Sequence, residues 1–473
     1  MRHVFVDRLH ELQIIERAVS GDGLKLIAVY GRRRIGKTHL LRYFCNSRNC
    51  FYFVAIEASK HILYRELAKA LSIWIGKPVG VFDNIDDFLD FMVKEVGKGF
   101  IIVFDEFQYI VDSDPESISR LQRFCDNNKD LDIAIVLCGS SVSFFEKKLL
   151  GYSSPLFGRR TVSLKLKPMG FIDAWNFYPN YNPLESIYIY SAFGGTPAYL
   201  ALIDESRDAF SNISEKILYR GSYLFDEALN FFRQEVREPS TYIAILSAIA
   251  NGYTKPGEIA SLAGVTSKSI SRYLDVLEHL DIVERIKPLG RRGGEVHIEI
   301  VDPYFSFWFR YVRPNITRLE LGYVDEVLED VKNTYDIYVS KIIESVFRRE
   351  IVYIFLKELD IDVGEVGRWW YKSEEIDTVA RGRDTSVFIE IKWSRIDFRE
   401  ALSIARDLEA KASLTGLQKP RNIYIVIARE IEKCRPMCRE HHYIAIDMLN
   451  MLHTIKKKLL KLNTYINTQQ NRV

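Results

Sequence analysis

An α/β protein of several domains is what the sequence predicts, and three features carry that expectation. The apolar residues 24–30 break at Gly31-Arg32-Arg33-Arg34-Ile35-Gly36-Lys37-Thr38 and resume as His39-Leu40-Leu41-Arg42-Tyr43-Phe44. This reads as a buried strand, a glycine-bearing loop and a helix with an apolar stripe. A second apolar run, Phe100-Ile101-Ile102-Val103-Phe104, ends in the carboxylates Asp105 and Glu106. In the last third, Glu375-Ile376-Asp377-Thr378-Val379-Ala380 and Val387-Phe388-Ile389-Glu390-Ile391-Lys392-Trp393 read as two strands.

The first feature is a phosphate-binding loop in its required setting, strand before and helix after. Its glycines let backbone N–H groups turn inward around phosphates. The helix N-terminus adds its positive end. Gly31, Arg32, Arg33, Arg34, Ile35, Gly36, Lys37, Thr38 and His39 are therefore the expected ATP-binding residues. Lys37 would reach the β- and γ-phosphates, and the Thr38 hydroxyl would hold Mg²⁺. Asp105 is the Walker B candidate and second Mg²⁺ ligand. Glu106 would act as the base that orients the attacking water. Both project from the C-terminal end of a buried strand, the edge at which parallel α/β sheets bind ligands.

Composition sets the bounds. With 473 residues, 47% hydrophobic and 27% charged, the chain is a folded protein of two to four domains. Lys+Arg 65 against Asp+Glu 63 leaves a net charge of +2, so any nucleic-acid contact must come from local basic patches. Met1-Arg2-His3 does not open a signal peptide, and no apolar segment approaches the roughly 18–20 residues of a membrane span. A cytoplasmic protein without a membrane partner is expected. Cys45, Cys50, Cys125, Cys138, Cys434 and Cys438 are dispersed, which suggests free thiols, and the loose Cys434/Cys438 spacing argues against zinc.

Further along, a helical pattern with Leu9, Leu12, Ile14, Ile15 and Ala18 follows Asp7-Arg8, a place where related ATPases form the lid of the adenine pocket. The third buried strand, from Ile133 to Cys138, runs into Gly139-Ser140-Ser141. Its hydroxyls are placed to sense a γ-phosphate, although serines after strands also serve as helix N-caps. Leu156-Phe157-Gly158-Arg159-Arg160 supplies two arginines. An arginine that reaches a γ-phosphate, from within the chain or from a neighbour, stabilises transition-state charge.

These motifs, in this order and with Phe193-Gly194-Gly195-Thr196-Pro197-Ala198-Tyr199-Leu200 behind them, resemble the archaeal-type ATPase family of the AAA+/STAND group. The resemblance covers roughly residues 4 to 235. It implies a P-loop NTPase three-layer sandwich, AAA+-like, followed by a helical subdomain. It also implies that Ser140 or Ser141 is the sensor and that Arg159 or Arg160 is the finger.

Residues 240 to 300 read as three helices and a β-hairpin with the tip Gly290-Arg291-Arg292-Gly293-Gly294, a winged helix-turn-helix. Lys268, Arg272, Arg291 and Arg292 would face outward toward DNA, although such modules also dock proteins, and Glu258, Glu278 and Asp281 dilute the basic face. In the last third, alternation puts Glu390 and Lys392 on one face of a strand beside Asp377. Two carboxylates can hold Mg²⁺ while a lysine orients water toward a phosphodiester. The order resembles the PD-(D/E)XK nuclease fold, a restriction-endonuclease-like α/β domain that accompanies this ATPase family. That resemblance implies a site of Glu344, Asp377, Glu390 and Lys392, with Ile376 standing where the motif's proline would be.

The expected organisation is 1–170 ATPase core, 171–237 helical subdomain, 238–302 winged helix, 303–334 connective segment, 335–460 nuclease-like domain and 461–473 tail. The expected activity is Mg²⁺-dependent ATP hydrolysis coupled to DNA binding or processing. A nucleotide-gated switch acting through protein partners and an ATP-regulated metal-dependent nuclease are the alternatives. A finger supplied by the next subunit would require a homo-oligomer.

Overall fold

The computed structural model describes residues 8–458 apart from 292, 294, 433–436 and 441. The chain divides between Pro168 and Met169 into two compact units.

The first unit is built on a five-stranded sheet of β1 (Lys25–Tyr30), β2 (Cys50–Val54), β3 (Phe100–Asp105), β4 (Ile133–Gly139) and β5 (Val162–Lys165). Its order is β2-β3-β4-β1-β5, and every neighbouring pair is parallel. All five C-terminal ends therefore lie along one edge, with β4 between the P-loop strand and the carboxylate strand. Residues alternate between two covered faces. Ile27 and Val29 pack with Leu12, Ile15, Leu40 and Phe44 of α1 (Leu9–Val19) and α2 (Lys37–Cys45). Leu26 and Ala28 join the opposite core with α3 (Lys60–Ile75), α4 (Ile85–Val96), α5 (Phe107–Ser113) and α6 (Ser117–Asn127). Burial on both faces explains why β1, β3 and β4 read as unbroken apolar runs.

The second unit opens on a clamp. The Met169 N–H donates to the Gly195 carbonyl at 2.7 Å, and a Cβ on Gly195 would lie 1.8 Å from the Met169 oxygen. Helices Pro239–Ala250, Pro256–Leu262 and Ile270–His279 follow, and then the antiparallel pair β6 (Val283–Ile286) and β7 (His297–Ile300).

Residues 303–334, expected as a connective segment, belong to the core. Tyr304, Phe305, Phe307 and Trp308 are fully buried, and the Tyr304 hydroxyl and Trp308 indole donate to the carbonyls of Leu224 and Phe225. The 23-residue helix Val324–Val346 starts inside that segment. Tyr335 and Tyr338 donate from it to the carbonyls of Tyr188 and Ser191. A mixed sheet follows: β8 (Glu365–Tyr371), β9 (Glu374–Arg381), β10 (Thr385–Ile396), β11 (Arg421–Ile431), β12 (Met437–Glu440) and β13 (Tyr443–Asp447), ordered β12-β13-β11-β10-β9-β8. Val387, Ile389 and Ile391 face the core shared with the preceding helices, while Phe388 and Tyr424 pack under helix Phe398–Ser413. The four segments expected between 171 and 460 thus share one hydrophobic core. The tail 461–473 lies outside the described residues.

The thiol expectation is corrected. Cys45 ends α2, Cys50 opens β2, and the short turn brings their Cα atoms to 5.4 Å, where a disulfide joins them. Cys438 is also disulfide-bonded, Cys125 and Cys138 are free and buried, and Cys434 lies outside the described residues. No described helix is long and apolar enough to cross a membrane.

Gly195→Ala should destabilise the protein by about 1–3 kcal/mol, because the new methyl group must displace backbone. Gly257→Ala, on an open helix position with nothing within 4 Å of where its methyl would stand, should be neutral or stabilising. Urea unfolding of the two variants checks the contrast.

Candidate nucleotide site and C-terminal acidic cluster

The P-loop turns on two glycines with positive φ. Gly31, at φ 148°, is pressed so close to Leu166 that a Cβ would lie 2.3 Å from its carbonyl oxygen. Gly36, at φ 91°, caps the start of α2. Arg32 and Ile35 are buried, Arg33 and Arg34 half-buried, and Thr38 and His39 lie exposed at the helix start, with the Thr38 hydroxyl turned to Asp105. Lys37 is buried, and its Nζ donates to the carbonyls of Gly31 at 2.8 Å and Arg32 at 2.9 Å. The ammonium is thus held inside the loop where a phosphate would sit.

Asp105 joins the loop to the second strand. Its Oδ2 accepts the Thr38 hydroxyl at 2.7 Å and the Tyr52 hydroxyl at 2.7 Å, while Oδ1 accepts the Glu106 N–H at 3.0 Å. An alcohol and a carboxylate side by side form a hard oxygen pair of the kind Mg²⁺ takes beside phosphate oxygens. Burial, and then the Asp105 charge, push the Tyr52 phenol far above its usual range, so it is a fixed donor. Glu106 has left-handed backbone, φ 54°, at the start of α5. Its Oε2 accepts the Ser140 hydroxyl at 2.9 Å, the Ser140 N–H at 3.3 Å and the Gln108 amide. Of the two serines after β4, Ser140 makes this contact.

The two arginines are elsewhere. Both precede β5, and the Thr161 N–H beside them donates to the Leu26 carbonyl near the start of β1. They therefore lie toward the N-terminal edge of the parallel sheet, opposite the P-loop. Arg159 grips Asp126 through Nε at 2.7 Å and a terminal nitrogen at 2.9 Å. Arg160 donates to Ser163 and lies over the Phe157 ring. Action on the chain's own γ-phosphate is excluded by this topology.

Three residues at the site escaped the sequence reading. Arg8 reaches the P-loop, donating to the carbonyls of Ile35 at 3.2 Å and Lys167 at 2.6 Å. Tyr52 and Gln108 position the two carboxylates, and only their places beside β3 in the folded sheet give them that role.

In the second unit, Asp377 on β9 is buried, and its Oδ2 accepts the Ile391 N–H at 2.8 Å. Glu390 Oε1 accepts Lys392 Nζ at 2.9 Å, and Oε2 is buried without a hydrogen-bond partner. Glu344, at the end of its helix, accepts the Ser340 hydroxyl at 3.0 Å. Burial, and then the charges of Glu390 and Glu344, raise the Asp377 carboxyl to about 8. The three acids therefore share a locus, but among the described residues no three His, Cys, Asp or Glu side chains converge to hold a metal. One oxygen of Asp377 is taken by a backbone amide and one of Glu390 by Lys392, and Lys392 feels the charges of Glu390, Asp377 and Glu344, so the four expected residues lie together.

Family models and relatives agree with this architecture. Residues 5–203 match a model described as an ATPase domain predominantly from Archaea, and residues 308–404 match one described as archaeal and bacterial proteins of unknown function. An uncharacterized protein of Methanocaldococcus jannaschii, MJECL04, is 31% identical over 438 residues, 91% of this chain and 96% of the relative. The chain belongs to this archaeal ATPase family. Solved structures with a similar fold include the Walker-type ATPase paby2304 of Pyrococcus abyssi, with TM-score 0.47, 21% identity and coverage of 65% of this chain and 97% of that one. The ORC2 protein of Aeropyrum pernix, in ADPNP and ADP complexes, gives TM-score 0.39 and 15% identity over 70% and 98% of the two chains.

In this member of the archaeal ATPase family, those of the described residues expected to face DNA do not form one free basic surface. Lys268 is exposed in the turn before Ile270–His279. Arg272 leans on Tyr273 at 3.2 Å and on Glu238 at 4.0 Å. Arg291 stacks on the Tyr371 ring of β8 at 3.8 Å, and Arg292 lies outside the described residues.

The Asp377 shift has a pH consequence. Its folded-state value of about 8 lies above the ordinary 3.8, so the folded protein binds the extra proton between those values. That contribution to stability is complete below the ordinary value and is lost as pH rises toward 8. Asp377→Asn should remove this loss, flattening the fall of urea stability across that window and giving the larger stabilisation at its alkaline end.

Proposed function

We propose that this archaeal ATPase binds ATP with Mg²⁺ at the P-loop, hydrolyses it, and couples nucleotide state to nucleic-acid engagement by its second unit. The observation that carries the proposal is the 2.7 Å contact between Thr38 and Asp105, which brings the two expected Mg²⁺ ligands together. With ATP bound, Mg²⁺ would neutralise the β- and γ-phosphate oxygens. Lys37 would exchange the Gly31 and Arg32 carbonyls for phosphate. Tyr52 keeps the Asp105 carboxylate oriented, and Glu106 accepts the proton of the attacking water. Arg159 or Arg160 acts as a finger only toward a second copy of the chain, since both lie at the far edge of their own sheet.

A nucleotide-gated switch is the second reading, and the tethering of Glu106 favours it. Three donors converge on one of its carboxylate oxygens, and that oxygen must leave Ser140 and Gln108 to take a proton. Slow hydrolysis follows as long as nothing releases it.

Steady-state ATPase measurements with Mg²⁺, with and without duplex DNA, test the pair. Lys37→Ala and Glu106→Gln should each lower kcat at least ~100-fold. Tyr52→Phe, which removes one donor from Asp105, should lower activity and raise the Mg²⁺ requirement, with a smaller effect than Lys37→Ala. DNA stimulation that fades with salt supports coupling to nucleic acid. A slow rate indifferent to DNA transfers the weight to the switch.

A further inference from the structure

The hairpin β6–β7 is docked on the C-terminal sheet. Leu289, between its strands, is buried with Trp369, Ile376 and Phe388, and its N–H donates to the Arg368 carbonyl at 2.8 Å. His297 stacks on Trp370 with ring centres 4.5 Å apart. At the middle of this contact stands Glu299. One of its oxygens accepts Arg368 at 2.8 Å, and the other accepts Arg348 at 3.3 Å. One oxygen per guanidinium is how an arginine pair takes the two non-bridging oxygens of a phosphodiester.

The same arginines border the acidic cluster. Arg348, itself buried, also donates to the Asp377 carbonyl at 3.4 Å, and Arg368 donates to Glu375 at 2.6 Å. Burial raises the Glu344 carboxyl, and both arginines are near enough to oppose that rise. Two guanidiniums side by side need an anion between them, and in the docked hairpin Glu299 supplies it.

We propose that Arg348 and Arg368 form a binding site for the phosphodiester backbone of a nucleic acid, and that Glu299 fills it as an internal surrogate until the nucleic acid displaces the hairpin. The proposal rests on the reading that the second unit engages nucleic acid, and it names where. A two-stranded ribbon is the element most easily lifted from such a surface, since by itself it is marginally stable. Its release would also free Arg291 from Tyr371.

The test is fluorescence anisotropy of the full chain with a labelled DNA duplex and, separately, an RNA duplex, in EDTA so that no metal-dependent step intervenes. Glu299→Gln should bind roughly tenfold tighter than the unaltered protein, with a steeper salt dependence, because the arginine pair no longer faces a fixed carboxylate. Leu289→Ser, which weakens docking without touching the pair, should tighten binding in the same direction. The gain must vanish in Glu299→Gln/Arg368→Gln. Unchanged affinity in both single variants for both duplexes overturns the proposal, as does a gain that survives in the double variant. A gain for DNA alone or for RNA alone assigns the ligand. The coupling reading fails separately: tight binding by Glu299→Gln with an ATPase rate indifferent to nucleic acid leaves the arginine site standing. Nucleic-acid-stimulated ATPase whose affinity ignores Glu299 does the reverse.

Discussion

Asp105 is the constraint around which the first unit is arranged. A carboxylate at the end of a buried strand must find donors, and here they come from three elements: Thr38 of the P-loop helix, Tyr52 of β2 and the backbone of Glu106. Strand order makes this convergence possible. β2 lies beside β3, so Tyr52 reaches the carboxylate from one side. β4 separates β3 from β1, so the loop after β4 delivers Ser140 to Glu106 from the other. The two acids are adjacent in sequence, yet one is bound to the phosphate loop and the other to the neighbouring strand.

A different constraint governs the second unit, namely how to join short helices that could not be stable alone. Buried tyrosines supply much of the answer. Tyr304, Tyr335 and Tyr338 each place a ring in the common core and a hydroxyl on a backbone carbonyl of a distant helix. Glu350 does the same with charge: its two oxygens accept the N–H groups of Phe171 and Ile172, capping a helix 178 residues earlier in the chain. The cost of burying that carboxylate, which pushes its proton affinity up, is offset by two otherwise orphaned donors.

This division explains what the sequence made legible. The P-loop and the Asp105-Glu106 strand could be read because their chemistry lies in consecutive residues with a fixed period. Strand β10 was readable for the same reason. Tyr52, Arg8 and Gln108 were not, because each acts through register or a loop approach that no local pattern encodes. The segment 303–334 reads as connective, since periodicity over a few residues does not reveal how many partners a helix will find. Arg159 and Arg160 show a related limit: spacing located them correctly before a strand, but only the parallel topology shows at which edge of the sheet they lie.

The basic residues of the second unit carry the same lesson into electrostatics. A glycine-rich hairpin with adjacent arginines suggests an open hand for phosphates, and a net charge of +2 leaves such local patches as the main means of attraction. In the folded chain the hairpin instead presents Glu299 to a pair of arginines on the sheet, while its own Arg291 is held by Tyr371. The positive charge that matters thus sits on elements the sequence pattern did not mark as basic, Arg348 in a helical segment and Arg368 within β8. An interface that satisfies itself in this way lowers non-specific attraction to polyanions. It also makes engagement depend on exchanging one anion for another, a step whose free energy is the difference between two charge-assisted contacts rather than the whole of either.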